Sequence, residues 1–266
     1  MGDSVASEAM ENGNDLGIAL WSSDCAAALA LNHFEVGVEA TRKTDGSPVT
    51  EADRAVEHLL HERIAAVAPG DAILGEELGE VGTSERVWIL DPIDGTSLFS
   101  RRDPHWRVHV ALVVAGRIEV AVVTAPAIGR QWWASRGRGA FEWSWPRRGD
   151  ETRLAVTTTT AMEDALLDAL DDASRARLPP EATLAPPSSQ GWCAGLIALV
   201  RGEVDCFLAD RFQVWDHAPW ILLVEEAGGR FTNRTGGHGA EQGGGLYSND
   251  GLHSELLSAI GYPEAN

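Results

Sequence analysis

The sequence has little of the chemistry that staples, anchors or exports a protein. Three cysteines, Cys25, Cys193 and Cys206, stand far apart among 266 residues. They offer neither a disulfide framework nor paired metal-ligand spacing, and they fit a reducing, cytoplasmic setting. Basic charge is also scarce: 21 Lys and Arg face 40 Asp and Glu, a formal net charge of −19. Non-specific nucleic-acid affinity comes mainly from Lys and Arg neutralising phosphates, so a nucleic-acid partner is not expected. An anionic membrane surface is disfavoured for the same reason. Long apolar runs are missing. The longest, Val108 to Gly129, is interrupted by His109, Arg117 and Glu119 into pieces too short to span a bilayer. The acidic start, Met1-Gly2-Asp3, lacks the basic and apolar regions of a signal peptide. The Gly-rich stretch 236–245 has no Gly-Lys-Ser/Thr and reads as a loop, not a phosphate-binding P-loop. What remains is a soluble chain, 44% hydrophobic, long enough for one large domain or two packed halves.

The hydrophobic period changes along the chain. Residues 1–14 read as a flexible tail. Helical spacing runs from Leu16 to about Phe34 and from Ala52 to about Val67. Thr50 and Asp53 form a Thr-x-x-Asp capping box at the start of the second helix. Strand-like runs follow at Arg86–Leu90, Val108–Val114 and Ile118–Thr124, then at Gln131–Ala134 and Ala140–Trp143 around a Gly-rich turn. The adjacent Trp132 and Trp133 must face opposite sides of such a strand. Residues 144–152 mark the best internal boundary, dividing an N-terminal α+β half, 15–150, from a C-terminal α/β half, 151–266. In the second half, helices are expected near Met162–Asp172, Trp192–Val200 and Ala218–Glu226, with a strand at Val204–Leu208.

Three separated segments carry acids at expected turns or element ends. They are Gly75-Glu76-Glu77, Asp91-Pro92-Ile93-Asp94-Gly95-Thr96-Ser97 and Trp215-Asp216-His217. Each has an ordinary explanation alone: a solvated pair, a turn, a helix N-cap. Together they suit Mg2+, a hard cation that takes oxygen ligands from a few carboxylates and recruits substrate phosphate. Pro92 fixes the backbone so that both aspartates and the Ile93 carbonyl can face one point. Two divalent ions would offset most of the charge of Asp53, Glu76, Asp91, Asp94 and Asp216, which would otherwise repel one another. Amides of Gly95, Thr96 and Ser97, if they open a helical turn, add an anion-binding end beside the ions. Such a site takes a phosphate ester.

These motifs, followed by Glu226-Ala227-Gly228-Gly229 and preceded by Lys43, Asp45, Pro48, Val49, Thr50 and Asp53, resemble the signatures of the inositol monophosphatase superfamily. Trp132-Trp133-Ala134 leading to Gly137-Arg138-Gly139-Ala140-Phe141 is most similar to the bacterial histidinol-phosphate phosphatase branch. The resemblance implies an α/β fold layered αβαβα, with the site between the two halves. It implies two or three Mg2+ ions held by Glu76, Asp91, the Ile93 carbonyl, Asp94 and Asp216, with Asp53 close by, and inhibition by lithium. Glu76, Thr96 and Asp53 would be catalytic, Glu76 and Thr96 orienting and deprotonating a metal-activated water for in-line displacement. Gly191, in Gly191-Trp192-Cys193, and Gly95, Thr96 and Ser97 would border the substrate. Homodimers are common in the family.

Inositol-selective members place a Glu seven residues before the last aspartate; here that position is Ala209. Asp210 is therefore expected to meet a substrate ammonium and Arg211 a second anionic group, although both also read as an exposed pair. His217 is expected near the metals, with a contact to the leaving group as the lesser reading. The expected function is Mg2+-dependent hydrolysis of a small polyol or amino-alcohol phosphate, such as histidinol phosphate or inositol 1-phosphate. Two alternatives stand: a phosphatase for 3′-phosphoadenosine 5′-phosphate or fructose 1,6-bisphosphate, using Arg101, Arg102, Arg107 and Arg211, and a non-catalytic binder of phosphate metabolites.

Overall fold

The computed structural model describes residues 14–37, 39–42, 48–146, 149, 151–188 and 190–263. Lys43, Asp45 and most of the expected N-terminal tail lie outside them. Asn14 caps the first helix, α1 (Asp15–Val36), by accepting from the Leu16 amide. A short pair of strands, β1 (Thr41–Arg42) and β2 (Pro48–Val49), leads to α2 (Glu51–Val67). The Thr50–Asp53 capping box at its start is present in full.

Eight strands form the larger sheet, in the order β10-β9-β8-β7-β6-β5-β3-β4. They are β3 (Ala72–Gly75), β4 (Gly79–Val81), β5 (Arg86–Asp94), β6 (Arg107–Val114), β7 (Arg117–Ala125), β8 (Arg130–Ser135), β9 (Gly139–Ser144) and β10 (Thr152–Arg153). A five-residue helix, α3 (Thr96–Ser100), follows β5 directly. The smaller sheet contains β11 (Leu166–Ala169), β12 (Thr183–Leu184), β13 (Cys206–Ala209), β14 (Gly229–Asn233) and β15 (Gly245–Asn249), in the order β12-β11-β13-β15-β14. Around it lie α4 (Asp172–Arg175), α5 (Cys193–Val200), α6 (Val214–Glu226) and α7 (His253–Ile260).

Three apolar clusters show how the layers stack. One lies between α1, α2 and the large sheet, with Leu60, Trp88, Leu90 and Trp133. The second joins the other face of that sheet to α5, α6 and the small sheet, through Ile89, Trp132, Leu196 and Leu222. The third covers the far face of the small sheet with α7, through Leu167, Leu208 and Leu256. The order is helix, sheet, helix, sheet, helix, an α/β sandwich. Period-two alternation explains the sorting: Trp88 and Leu90 face one way and Ile89 the other, and Trp132 and Trp133 divide as expected.

Two element expectations need correction. The stretch 162–172 is not a helix: a single 3-10 turn, Met162–Asp164, leads into β11. Leu167, Asp168 and Ala169 pair in parallel with Cys206, Phe207 and Leu208, and sheet pairing outweighs local helix propensity. The helix expected from Ala218 begins at Val214, so Pro219 lies inside it and Asp216 occupies its third position instead of its N-cap. The middle layer is deeply buried, and Leu222 is fully inaccessible. Leu222→Ala is expected to destabilise the fold by about 2–5 kcal/mol in urea unfolding, through lost burial and a residual cavity.

Candidate active site

Asp91 and Asp94 sit three residues apart, and in a regular strand such residues point to opposite faces. Here β5 carries a bulge. Asp91 pairs with His109 and Asp94 with Arg107, so three steps on β5 oppose two on β6. Pro92, within that bulge, has no amide to lose from the ladder. The extra residue turns both aspartates to one side. The Asp91 carboxylate accepts from the Ile93 amide at 3.0 Å, which fixes the turn. Gly95 follows at φ 84°, ψ 42°, a left-handed conformation that favours glycine, and opens α3.

Asp216 arrives from the other half of the molecule. Its Oδ2 accepts from the Gln213 amide at 2.7 Å across the first turn of α6. One carboxylate oxygen from each of Asp91, Asp94 and Asp216 then lies within 4.8 Å of the others. Glu76, Ile93, Thr96, Ser97, Gly191 and Trp192 complete much of the wall of this cavity, of about 370 Å³, together with Gly95 and Leu98. The donors are all oxygens and mostly anionic, the set that a hard divalent cation takes.

Two further acids hold the frame. Asp53 uses both oxygens: Oδ2 accepts from the Thr50 amide at 2.8 Å and from its hydroxyl at 2.6 Å, and Oδ1 lies 3.1 Å from Thr96 Oγ1. Thr96 Oγ1 is also 3.2 Å from the Ile93 carbonyl, so one hydroxyl proton is shared between two acceptors. Glu57, one helical turn beyond Asp53, accepts from the amides of Glu77 and Leu78 at 2.8 Å each. It thereby positions the turn that carries Glu76. A Cβ on Gly75 would lie 2.0 Å from Glu57 Oε1, so that close approach requires glycine. Nothing in the acidic motifs singled out Glu57; the available signal was an acid on the face of α2 that also buries Val56 and Leu60.

The electrostatics follow from burial of like charges. The Asp91 carboxyl is pushed well above its ordinary range by burial first, then by Glu76, Asp94, Asp216 and Asp53. Asp216 rises to about 7, again by burial first and then by Asp94. Asp53 is raised by burial, moderated by its bonds from Thr50 and Thr96.

Asp94 is gripped from beneath. Trp192 Nε1 donates to its Oδ1 at 2.8 Å, and Cys193 Sγ lies 3.4 Å from Oδ2. The buried Arg107 guanidinium, 3.9 Å from that oxygen, donates to the carbonyls of His105 and Gln190. Gly191, at φ +80°, would place a Cβ 2.9 Å from Leu98, so the loop approaches α3 closely. Gly191 and Trp192 also line a second cavity of about 290 Å³, with Asp168, Asp171, Asp172 and Arg175 on its wall.

Three expected contacts lie elsewhere. Asp210 is not on the wall of either of these cavities; it takes bonds from Arg177 and Tyr262. Arg211 pairs with Asp171 and is largely exposed. Both sit beyond β13, where local sequence gave no direction. His217 is fully buried, bonded through Nδ1 to the Tyr247 hydroxyl at 2.6 Å and through Nε2 to the Ala240 carbonyl at 2.8 Å. Burial lowers it to about 4, so it is a neutral packing residue.

The sequence model of the inositol monophosphatase family matches residues 20–261. The chain belongs to the inositol monophosphatase family. It is 38% identical to a Streptomyces griseus protein named glucose-1-phosphate thymidylyltransferase, over 94% of this chain and 97% of that one. It is 36% identical to a Mycobacterium tuberculosis histidinol-phosphatase, over 93% of this chain and 98% of that one. Among solved structures, a Thermotoga maritima IMPase superposes with a TM-score of 0.75 at 26% identity, covering 91% of this chain and 94% of that one. Family membership supports a phosphatase, and the described residues include acidic groups able to hold a metal. No helix among them is long and apolar enough to cross a membrane.

Asp216 titrates at about 7 when folded and at 3.8 ordinarily. A raised carboxyl stabilises the fold below its unfolded value, and that contribution is lost as pH rises through the folded value. Metal-free protein is therefore expected to lose thermal stability between about pH 4 and pH 7, with Mg2+ restoring it most at the upper end. Melting curves with EDTA and with Mg2+ across that range check this.

Proposed function

We propose that this family member is a Mg2+-dependent phosphomonoesterase acting on a small amino-alcohol or polyol phosphate. The observation that carries the reading is the convergence of Asp91, Asp94 and Asp216 in a cavity that also contains Glu76 and Thr96. Asp91, Asp94, Asp216, Glu76 and the Ile93 carbonyl would hold the ions. When bound, Mg2+ supplies Lewis acidity at the phosphoryl oxygens and lowers the pKa of water in the site.

The chain's own groups orient the reaction. Thr96 donates its proton towards Asp53, which leaves its oxygen lone pairs free to accept from the attacking water. Glu76, on the same cavity wall, is the group placed to take the other proton. The Gly95–Ser97 turn borders the phosphate, and Gly191 and Trp192 border the leaving group where the two cavities meet.

The second cavity favours a leaving group that bears an amine. Asp168 is held by the Ala169 amide at 2.8 Å and lies 3.7 Å from Arg175, while Asp171 and Asp172 add further negative charge. Asp168 thus replaces Asp210 as the residue proposed to meet a substrate ammonium. The name of the Mycobacterium relative, histidinol-phosphatase, agrees with a substrate of that class. A bisphosphate is less suited. Of the four arginines that could meet a second phosphate, Arg102 bonds the Phe34 and Glu35 carbonyls, Arg107 is buried and Arg211 pairs with Asp171, which leaves Arg101, exposed near Ser97.

Phosphate release from histidinol phosphate is expected to require Mg2+ and to fall about a hundred- to a thousandfold in Asp94→Asn, as removal of a key electrostatic group does. Activity that persists without a divalent ion contradicts the reading. Asp168→Asn is expected to raise KM for histidinol phosphate about tenfold, the equivalent of about 1.4 kcal/mol, and to leave inositol 1-phosphate unchanged. Equal effects on both substrates would contradict the role of Asp168 alone. Folded protein that binds these esters with Mg2+ and turns none over would favour a binding protein.

A further inference from the structure

Beneath the carboxylate cluster lies a second, softer donor set that the proposed hydrolysis does not use. His109, on β6, is 1% exposed. Its Nδ1 lies 3.3 Å from the Trp215 carbonyl. That carbonyl is available because its usual helical partner would be the amide of residue 219, and Pro219 has none. A carbonyl only accepts, so the proton sits on Nδ1 and Nε2 carries a bare lone pair. Nε2 has no hydrogen-bond partner and is buried. It points to Asp94 Oδ2 at 3.9 Å, and Cys193 Sγ lies 3.4 Å from the same oxygen. The three atoms fall within 4.8 Å of one another. Asp94 Oδ1 is already taken by Trp192, which leaves Oδ2 for this inner side.

We propose that Asp94 Oδ2, His109 Nε2 and Cys193 Sγ form a site for a thiophilic divalent cation of the Zn2+ class, distinct from the carboxylate cluster and sharing Asp94 with it. Bonds of about 2.3 Å to sulfur and about 2.0–2.2 Å to nitrogen and oxygen set tetrahedral ligand atoms about 3.3–3.7 Å apart. The carboxylate–thiol separation, 3.4 Å, already lies in that range; the carboxylate–imidazole separation, 3.9 Å, exceeds it, and the thiol–imidazole separation is bounded at 4.8 Å, so side-chain rotations close the set. Binding exchanges the Cys193 S–H bond for a sulfur–metal bond, with the proton leaving to solvent. Thiolate and carboxylate balance the ion's charge, and the nearby Asp91 and Asp216 carboxyls offset Arg107. Mg2+ prefers oxygen and does not compete for thiolate. Asp94 and Trp192 line the cavity of the carboxylate cluster, so the buried set adjoins that cavity through Asp94. Occupation draws Oδ2 away from the cluster, so such cations inhibit the hydrolysis; that consequence alone rests on the proposed function.

The test is a titration of the full-length protein with Cd2+ in excess Mg2+, read by the ultraviolet thiolate-to-cadmium charge-transfer band. The expected result is a band that saturates at one Cd2+ per chain, is displaced by Zn2+ and disappears in Cys193→Ala. Cys25 and Cys206 remain in that variant, so a band arising from them would survive and overturn the proposal. Absence of the band in the unaltered protein overturns it without any variant. His109→Gln is expected to weaken Cd2+ binding at least about tenfold; undiminished affinity in the folded variant would remove His109 and with it the site. None of these readouts depends on phosphatase activity.

Discussion

Mutual repulsion among buried carboxylates is the constraint around which this molecule is arranged. Asp91, Asp94 and Asp216 place oxygens within 4.8 Å of one another, with Glu76 on the same wall and Asp53 just behind. Left to themselves, such groups would take up protons or move apart. The fold opposes the second outcome by fixing each acid through a backbone amide or an aromatic N–H. Ile93 holds Asp91, Gln213 holds Asp216 and Trp192 holds Asp94. The first outcome remains, and it appears as the raised titration of Asp91 and Asp216. The protein thus stores an unfavourable arrangement that a bound divalent cation would relieve.

The layered sandwich makes this possible because the acids come from elements that only tertiary packing brings together. β3 and β5 are parallel neighbours, so Gly75 pairs with Leu90 and the Glu76 turn emerges beside Asp91. Asp53 and Glu57 reach the same edge from α2, each tied to a different strand end. Asp216 comes from the middle helical layer, which also covers the small sheet. The second cavity opens between β11, α4 and the Gly191–Trp192 turn. Trp192 belongs to both spaces and also holds Asp94, so the shape of the second cavity and the geometry of the acids are mechanically linked.

Much of the site is legible in the sequence where local chemistry dictates geometry. In the Asp91-Pro92-Ile93-Asp94 segment, Pro92 announces a fixed backbone that turns both aspartates to one point, which the structure achieves with a bulge, and the Thr50–Asp53 box announces a helix start. Their convergence with Asp216 followed from the family resemblance and from the charge a cation would balance. Other parts depend on distant partners. Glu57 looks like an ordinary surface acid until Gly75 lets it approach the Glu77 amide. His109 interrupts an apolar strand, and its unbonded nitrogen becomes meaningful only beside Cys193. Asp210 and Arg211 read as candidate substrate contacts, yet Arg177 and Asp171 claim them. β11 has a helix-like composition, and its pairing with β13 decides otherwise.

The most direct measurement is calorimetric titration of metal-free protein with Mg2+ at pH 6, in two buffers of different ionisation enthalpy. Asp216 titrates at about 7 in the absence of metal and is therefore largely protonated at that pH. The account predicts that Mg2+ binding expels protons, so the measured heat changes with the buffer in proportion to its ionisation enthalpy. Binding with no proton release, or no binding, would contradict the claim that a cation relieves the strain among these carboxylates.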